Sequence, residues 1–197
     1  MTVPLVLIAC LALVVLSPTP IARLATAIFT LSSMVLFGMS ALYHRFNWGP
    51  KAKATLRRID HASIFVLIAG TYTPLALLAL EQPASIILLS AVWGGALVGI
   101  LARIFWVGAP RWLYVPLYLL LGWAAVAYMG PLFQFSVPMA MLVIIGGLAY
   151  TVGAIVYGFK RPNFWPGHFG FHELFHALTV VAWACHFAAV MIVALRS

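Results

Sequence analysis

Long apolar runs separated by short polar breaks make up the chain. A membrane span needs about 20 mostly apolar residues. The runs predict seven transmembrane helices in a single domain, at residues 3–17, 21–44, 59–80, 84–102, 112–129, 137–159 and 171–195. The breaks contain proline, glycine and charged residues, which end helices and favour turns. We therefore predict an all-α bundle of seven transmembrane helices with no second domain.

The first run is shorter than the others and ends at a proline-rich break at residues 17–20. No lysine or arginine precedes it. A secretory signal peptide carries a basic segment before its apolar core. We therefore expect this run to be a retained helix.

The composition excludes a soluble protein. Of the 197 residues, 65% are hydrophobic and only 7% are charged, whereas a soluble domain has about 25% charged residues. The net charge is +8, but the basic residues lie in the breaks, so they indicate topology and not nucleic-acid binding. Cys10 and Cys185 both lie inside apolar runs and predict no disulfide framework.

The basic residues also predict the orientation of the chain. Cytoplasmic loops carry an excess of lysine and arginine. On the side of the N-terminus the breaks contain Arg45, Lys51, Lys53, Arg57, Arg58, Arg103, Arg111, Lys160 and Arg161. The other side carries only Arg23 and Arg196. We therefore expect a cytoplasmic N-terminus and an external C-terminus.

Rare ionisable residues converge on the predicted cytoplasmic ends of three helices. His44 ends the second helix, Asp60 and His61 begin the third, and His172 and His176 begin the seventh. The spacing of four places the last two imidazoles on one face of a helix. Ionisable residues in spans are costly and usually face the bundle interior with a partner. Their common depth indicates one site.

Three histidines with one open position form the ligand set of a catalytic zinc site. We expect His44, His172 and His176 to bind one Zn²⁺, because imidazole suits this metal and zinc needs no redox partner. Asp60 would hydrogen-bond a metal-bound water or a ligand imidazole. Ser40, one turn before His44, would hydrogen-bond that water or a substrate oxygen. Zinc lowers the pKa of its water and polarises a carbonyl, so hydrolysis of a lipid amide or ester is the matching reaction.

Simpler explanations exist for each of these residues. A histidine near a helix end is often an interfacial anchor, and Asp60 would complement a helix dipole. We expect His61 to point away from the site and His168 to be solvated in its loop. His186, ten residues beyond His176, is expected to hydrogen-bond a neighbouring helix.

Residues 172–176 also match the H-E-x-x-H pattern, in which glutamate is the general base of a zinc protease. An intramembrane protease of this type would take an acidic third ligand from another helix. The acidic residues are Asp60, Glu81 and Glu173, and Glu81 lies at the opposite membrane face. A third histidine therefore fits better, and Glu173 would stabilise the N-terminus of its helix.

Several motifs resemble the hemolysin III family of bacterial membrane proteins. They comprise residues 40–44 (Ser-Ala-Leu-Tyr-His), 57–61 (Arg-Arg-Ile-Asp-His), 68–74 (Ile-Ala-Gly-Thr-Tyr-Thr-Pro), 150–153 (Tyr-Thr-Val-Gly), Lys160-Arg161, the His172/His176 pair and 185–187 (Cys-His-Phe). This family belongs to the wider progestin and adipoQ receptor (PAQR) group, which is itself similar to alkaline ceramidases. The resemblance implies seven spans, a bacterial inner-membrane location, and zinc held by His44, His172 and His176 beside Ser40 and Asp60.

The chain departs from that family pattern in two places. Most members begin with a polar, amphipathic N-terminal segment that this sequence does not show, and the first helix is correspondingly short. Two explanations stay open: the sequence starts late, or this member lacks a cap over the cytoplasmic face. The small Gly-Ser pair often found before Cys-His in the last helix is replaced by Trp183-Ala184. The second difference concerns packing around the site and leaves the ligands in place.

Three functions remain open from the sequence. The first is a zinc-dependent hydrolase of a membrane lipid. The second is a regulator, a receptor-like protein or a cytolytic protein with a structural metal. The third is the intramembrane protease. No nucleic-acid partner is expected.

Overall fold

In the computed structural model, which describes residues 2–106, 111–164 and 169–197, eight α-helices follow one another along the chain. They are α1 (Thr2–Leu16), α2 (Pro20–Arg45), α3 (Pro50–Ala79), α4 (Ala84–Phe105), α5 (Arg111–Gly122), α6 (Met129–Phe135), α7 (Val137–Phe159) and α8 (Phe171–Arg196). A 3-10 segment, Ala124–Tyr128, joins α5 to α6.

Six helical segments in the described ranges are long and apolar enough to cross a membrane: α2, α3, α4, the segment Leu113–Phe135, α7 and α8. The helix α1 is also apolar, but it has only 15 residues. The all-helical, multi-pass architecture expected from the sequence is therefore confirmed. The seventh crossing and the orientation stay predictions.

The chain divides into two compact units, Met1–Ala109 with Val193–Ser197, and Pro110–Ile192. In the first unit each helix packs against the next one, from α1 to α4. Buried polar groups fix the corner between α1 and α2. The Ser17 hydroxyl donates to the Leu13 carbonyl at 2.8 Å, and Arg23 Nε donates to the Ser17 carbonyl at 2.9 Å.

Two glycines allow the helices of the first unit to approach closely. A Cβ on Gly70 of α3 would overlap the Ser32 side chain of α2, and a Cβ on Gly99 of α4 would overlap the Phe65 ring of α3. Small residues of this kind permit close contact between helices in membranes.

The helix α3 begins nine residues earlier than the sequence predicted. Residues 45–58 were expected to form a loop because they are polar and basic, yet α3 starts at Pro50. Proline suits a first helical position because its missing N–H would have no partner there. Alanine, lysine and arginine, which are good helix formers, fill most of residues 51–58. The basic residues therefore indicated where the membrane span begins and not where the helix begins.

The end of α4 also differs from the prediction. The helix continues to Phe105, past the expected end at residue 102. Arg103 consequently lies in the last helical turn with only 7% of its surface exposed, and not in a solvated loop. The expected loop 103–111 lies partly outside the described residues.

In the second unit, the expected span 112–129 and the turn after it take a different form. The helix α5 ends at Gly122, and α6 occupies residues where we expected a turn. Pro131 is in the first turn of α6, where a proline costs no hydrogen bond. Ser136 then caps α7 by accepting from the Met139 N–H at 3.5 Å.

Trp123, which lies between α5 and the 3-10 segment, is hydrogen-bonded to α7. Trp123 Nε1–H donates to the Thr151 hydroxyl at 2.9 Å, and that hydroxyl donates to the Gly147 carbonyl at 2.7 Å. The helix α7 ends at Phe159, where Lys160 takes a left-handed conformation with φ 56°. The predicted break after residue 159 is therefore confirmed.

Candidate metal site

Two side chains define the start of α8. Glu173 Oε2 accepts from the Gly170 N–H at 2.9 Å, and Asn163 Oδ1 accepts from the Phe171 N–H at 3.0 Å. Glu173 is the third residue of the helix, and its side chain accepts from the N–H of the residue that precedes the helix. This contact is half of a capping box. Glu173 therefore stabilises the N-terminus of α8, as the sequence suggested, and its carboxylate is engaged with the backbone.

This cap sets the position of the His172/His176 pair in the first two turns of α8. The two Nε2 atoms lie 3.1 Å apart, and the rings are perpendicular with centroids separated by 4.6 Å. Both side chains are half-buried. A hydrogen bond at this distance requires one nitrogen to donate and the other to accept. The two imidazoles therefore converge on one point, as two ligands of a common ion would.

Aromatic residues surround the pair within the second unit. The ring centroid of Tyr157, on α7, lies 6.4 Å from that of His172 and 5.0 Å from that of Phe175. Phe175 also lies 5.5 Å from His176. The sequence alone does not distinguish Tyr157, because an aromatic residue near the end of a span is ordinarily an interfacial residue.

In the first unit, His44 lies in the last turn of α2 and is exposed. The Tyr43 ring meets it edge-on at a centroid distance of 4.6 Å. Trp48 Nε1–H donates to the Leu42 carbonyl at 2.9 Å. The segment after α2 therefore folds back onto the turn that carries His44.

His172 and His176, both in the second unit, could supply two ligands of a metal ion, and His44 of the first unit stays the predicted third ligand. Two nitrogens bound to one tetrahedral zinc lie about 3.4 Å apart, given Zn–N distances of about 2.0–2.1 Å. The 3.1 Å separation in the α8 pair is close to that value. The donor set and its spacing therefore fit a transition metal of the kind that imidazole binds.

Asp60 is half-buried on α3, and its backbone carbonyl accepts from the Ser63 hydroxyl at 2.6 Å. Ser40 is half-buried on α2, one turn before His44. The roles predicted for these two side chains beside the metal stay predictions.

The other histidines have separate positions. His61 Nδ1 lies 2.6 Å from the Arg57 carbonyl on its own helix. His186 Nε2 lies 3.3 Å from the Val143 carbonyl of α7, as expected for a hydrogen bond to a neighbouring helix. His168 lies outside the described residues, so its predicted loop role stays a prediction.

The fold and the His172/His176 pair define a multi-pass helical membrane protein with a candidate metal site. The family described as Haemolysin-III related matches residues 1–187. The chain therefore belongs to the hemolysin III family, and the resemblance noted in the sequence is confirmed.

Curated relatives agree with this assignment. The Hemolysin-3 homolog of Bacillus subtilis (strain 168) is 36% identical over 165 residues, covering 83% of this chain and 74% of the relative. Hemolysin-3 of Bacillus cereus is 32% identical over 152 residues, covering 74% and 67%. The ADIPOR-like receptor IZH2 of Saccharomyces cerevisiae is 43% identical over only 49 residues, covering 22% of this chain and 16% of the relative. That shorter match fits the PAQR relationship.

Proposed function

We propose that this protein is a zinc-dependent hydrolase of an amide or ester bond in a membrane lipid. The observation that supports the proposal is the His172/His176 pair, whose Nε2 atoms lie 3.1 Å apart. His44 is the third ligand that the sequence predicts. A zinc ion with three histidine ligands keeps one coordination position open, whereas a structural zinc site is normally closed by four protein ligands. A membrane lipid is the substrate class because the histidines lie on helices suited to a bilayer.

Each residue of the site has a separate role in the proposed reaction. The three imidazoles hold the metal, which when bound supplies a Lewis acid and an activated water. The Asp60 carboxylate accepts a proton from the attacking water. The Ser40 hydroxyl donates a hydrogen bond to the substrate carbonyl oxygen. The Tyr157 and Phe171 rings shield one side of His172 from water, which strengthens electrostatic contacts there.

The topology completes the proposal. Seven crossings, with α1 as the first, place the N-terminus in the cytoplasm and the C-terminus outside, as the distribution of basic residues predicts. The histidine group then faces the cytoplasm. The bacterial origin of the relatives, together with the long apolar helices, supports a location in a bacterial cell membrane.

The printed names of the relatives favour a second candidate. Two are called hemolysins and one a receptor. In that case the metal would be structural, and the protein would act on membranes or partners without hydrolysis. The protease alternative is less favoured, because Glu173 is fully exposed and its carboxylate accepts from the Gly170 N–H.

The test compares wild-type protein, purified without chelators, with His44→Ala and Asp60→Asn in metal analysis and a screen of lipid amides and esters. We expect one zinc per wild-type chain, loss of zinc and hydrolysis in His44→Ala, and loss of hydrolysis alone in Asp60→Asn. His61→Ala is the matched control and should keep both. A wild-type protein without a transition metal would contradict the site. Zinc without hydrolysis of any lipid, or full function in Asp60→Asn, would favour the structural metal.

A further inference from the structure

A small polar pocket opens where α2 ends and α3 begins, within the first unit. Its volume is about 220 Å³. Six residues line it: Tyr43, His44, Phe46, Asn47, Trp48 and Lys53. The candidate metal ligand His44 is therefore also part of a cavity wall, and a molecule in the pocket would touch it.

Side-chain contacts fix the shape of this pocket. The Trp48 indole is hydrogen-bonded to the Leu42 carbonyl and meets the Phe46 ring edge-on at 5.9 Å. Lys53 lies in the first turn of α3, where its N–H donates to the Gly49 carbonyl at 2.9 Å. Both walls are therefore attached to helix ends, and the short connection between them is folded back onto α2.

The lining matches an anion. Lys53 contributes a positive charge, Asn47 an amide N–H and Tyr43 a phenolic hydroxyl, while none of the six residues is acidic. The whole chain has only three acidic residues, which are Asp60, Glu81 and Glu173. A lysine ammonium is a common phosphate ligand. The volume is below the range of about 300–1,000 Å³ that drug-sized ligands need, so it suits a small anionic group.

The location indicates where such an anion comes from. The pocket lies at the adjoining ends of two membrane-spanning helices, α2 and α3. Lipid headgroups occupy this depth, and tryptophan and tyrosine are enriched there. The partly exposed Trp48 and Tyr43 fit that level of the membrane. The phosphate of a lipid headgroup would therefore reach the pocket while its acyl chains stay in the bilayer.

We propose that this pocket binds a phosphate group, and that a phosphate-bearing lipid is the substrate held beside His44. Lys53 and Asn47 would bind the phosphate and so place a neighbouring ester or amide bond beside His44. The inference rests on the proposed function only in calling this lipid a substrate. The pocket itself is independent of whether a metal is present.

The test uses the full chain in detergent and native mass spectrometry with equal amounts of phosphatidylglycerol and a diacylglycerol with the same chains. The wild type should retain phosphatidylglycerol preferentially. Lys53→Gln should weaken that retention about fivefold, the effect of one basic residue at a membrane surface. Lys51→Gln is the matched control, because Lys51 is exposed in the same helical turn but does not line the pocket. Its retention should equal that of the wild type.

A second arm adds inorganic phosphate to the phosphatidylglycerol complex. Displacement that depends on Lys53 supports a phosphate pocket that also accepts the free ion, and resistance to displacement supports the lipid as the source. Equal retention of the two lipids, or equal losses in Lys51→Gln and Lys53→Gln, would overturn the proposal. Zinc is measured in the same samples. Lipid selectivity without zinc refutes only the metal site, and zinc without selectivity refutes only the pocket.

Discussion

The helix α8 carries histidines in two different environments. His172 and His176 lie in its first turns, half-buried, with their ring nitrogens directed at each other. His186 lies ten residues further along, against α7, where its ring contacts a backbone carbonyl and occupies the space beside Gly146. The group that each imidazole contacts therefore distinguishes a candidate metal ligand from a packing residue. The residue type and the depth in the membrane alone do not.

The largest expected effect is the loss of metal affinity when a histidine of the pair is removed, in contrast to the removal of His186. His172→Ala should lower metal affinity by more than about 100-fold, because even the loss of a supporting partner of a ligand costs about 10–100-fold. His186→Ala should keep the metal, since its ring contacts the Val143 carbonyl instead. Titration with a chelator of known affinity measures both. If His186→Ala releases the metal while its helical content and melting temperature are retained, the distinction between the two environments is wrong.

A substitution in α7 tests the packing of His186. A Cβ on Gly146 would lie 2.6 Å from the His186 ring and 3.1 Å from the Ala182 carbonyl, so Gly146→Ala must displace the ring or the helix. Such overpacking costs about 1–3 kcal/mol. The measurement is thermal unfolding in detergent. Gly158→Ala is the control, because no atom lies within 4 Å of its added Cβ. Equal melting temperatures for the two variants would contradict the close contact.

The smallest effect is expected at the cap of α8. Glu173→Gln removes the negative charge near the helix N-terminus but keeps an oxygen that can accept from the Gly170 N–H. The melting temperature should fall less than in Gly146→Ala, and zinc content should be unchanged. Peptide and lipid hydrolysis assays complete the test. If Glu173→Gln abolishes hydrolysis with zinc intact, Glu173 is the general base after all.

The sequence predicted the features that depend on local composition. Apolar runs located the spans, and the four-residue spacing of His172 and His176 placed their imidazoles on one face. The motifs around His44 pointed to the family and to the third histidine. The helical class and the family are confirmed, whereas the role of the third histidine stays a prediction. Such predictions are possible because membrane spans must be apolar, and an ionisable residue inside one is rare enough to be noticed.

Features that depend on contacts between distant residues could not be predicted. Nothing in the polar stretch 45–58 shows that α3 starts at Pro50, since basic residues are compatible with both a loop and a helix. The proximity of Tyr157 to His172 follows from the packing of α7 against α8. The burial of Arg103 likewise depends on its neighbours in the folded unit. Each of these requires three-dimensional information that hydrophobic periodicity does not contain.

The break between α5 and α6 has a consequence for how this region matches the thickness of the bilayer. The 12 residues of α5 extend only about 18 Å at 1.5 Å per residue, well short of a hydrocarbon core of about 30 Å. The crossing therefore needs α5, the 3-10 segment and α6 together. Five residues in 3-10 geometry add about 2.5 Å compared with an α-helix, because each rises about 2.0 Å. The irregular segment thus lengthens a hydrophobic span, and the Trp123–Thr151 hydrogen bond anchors it to α7.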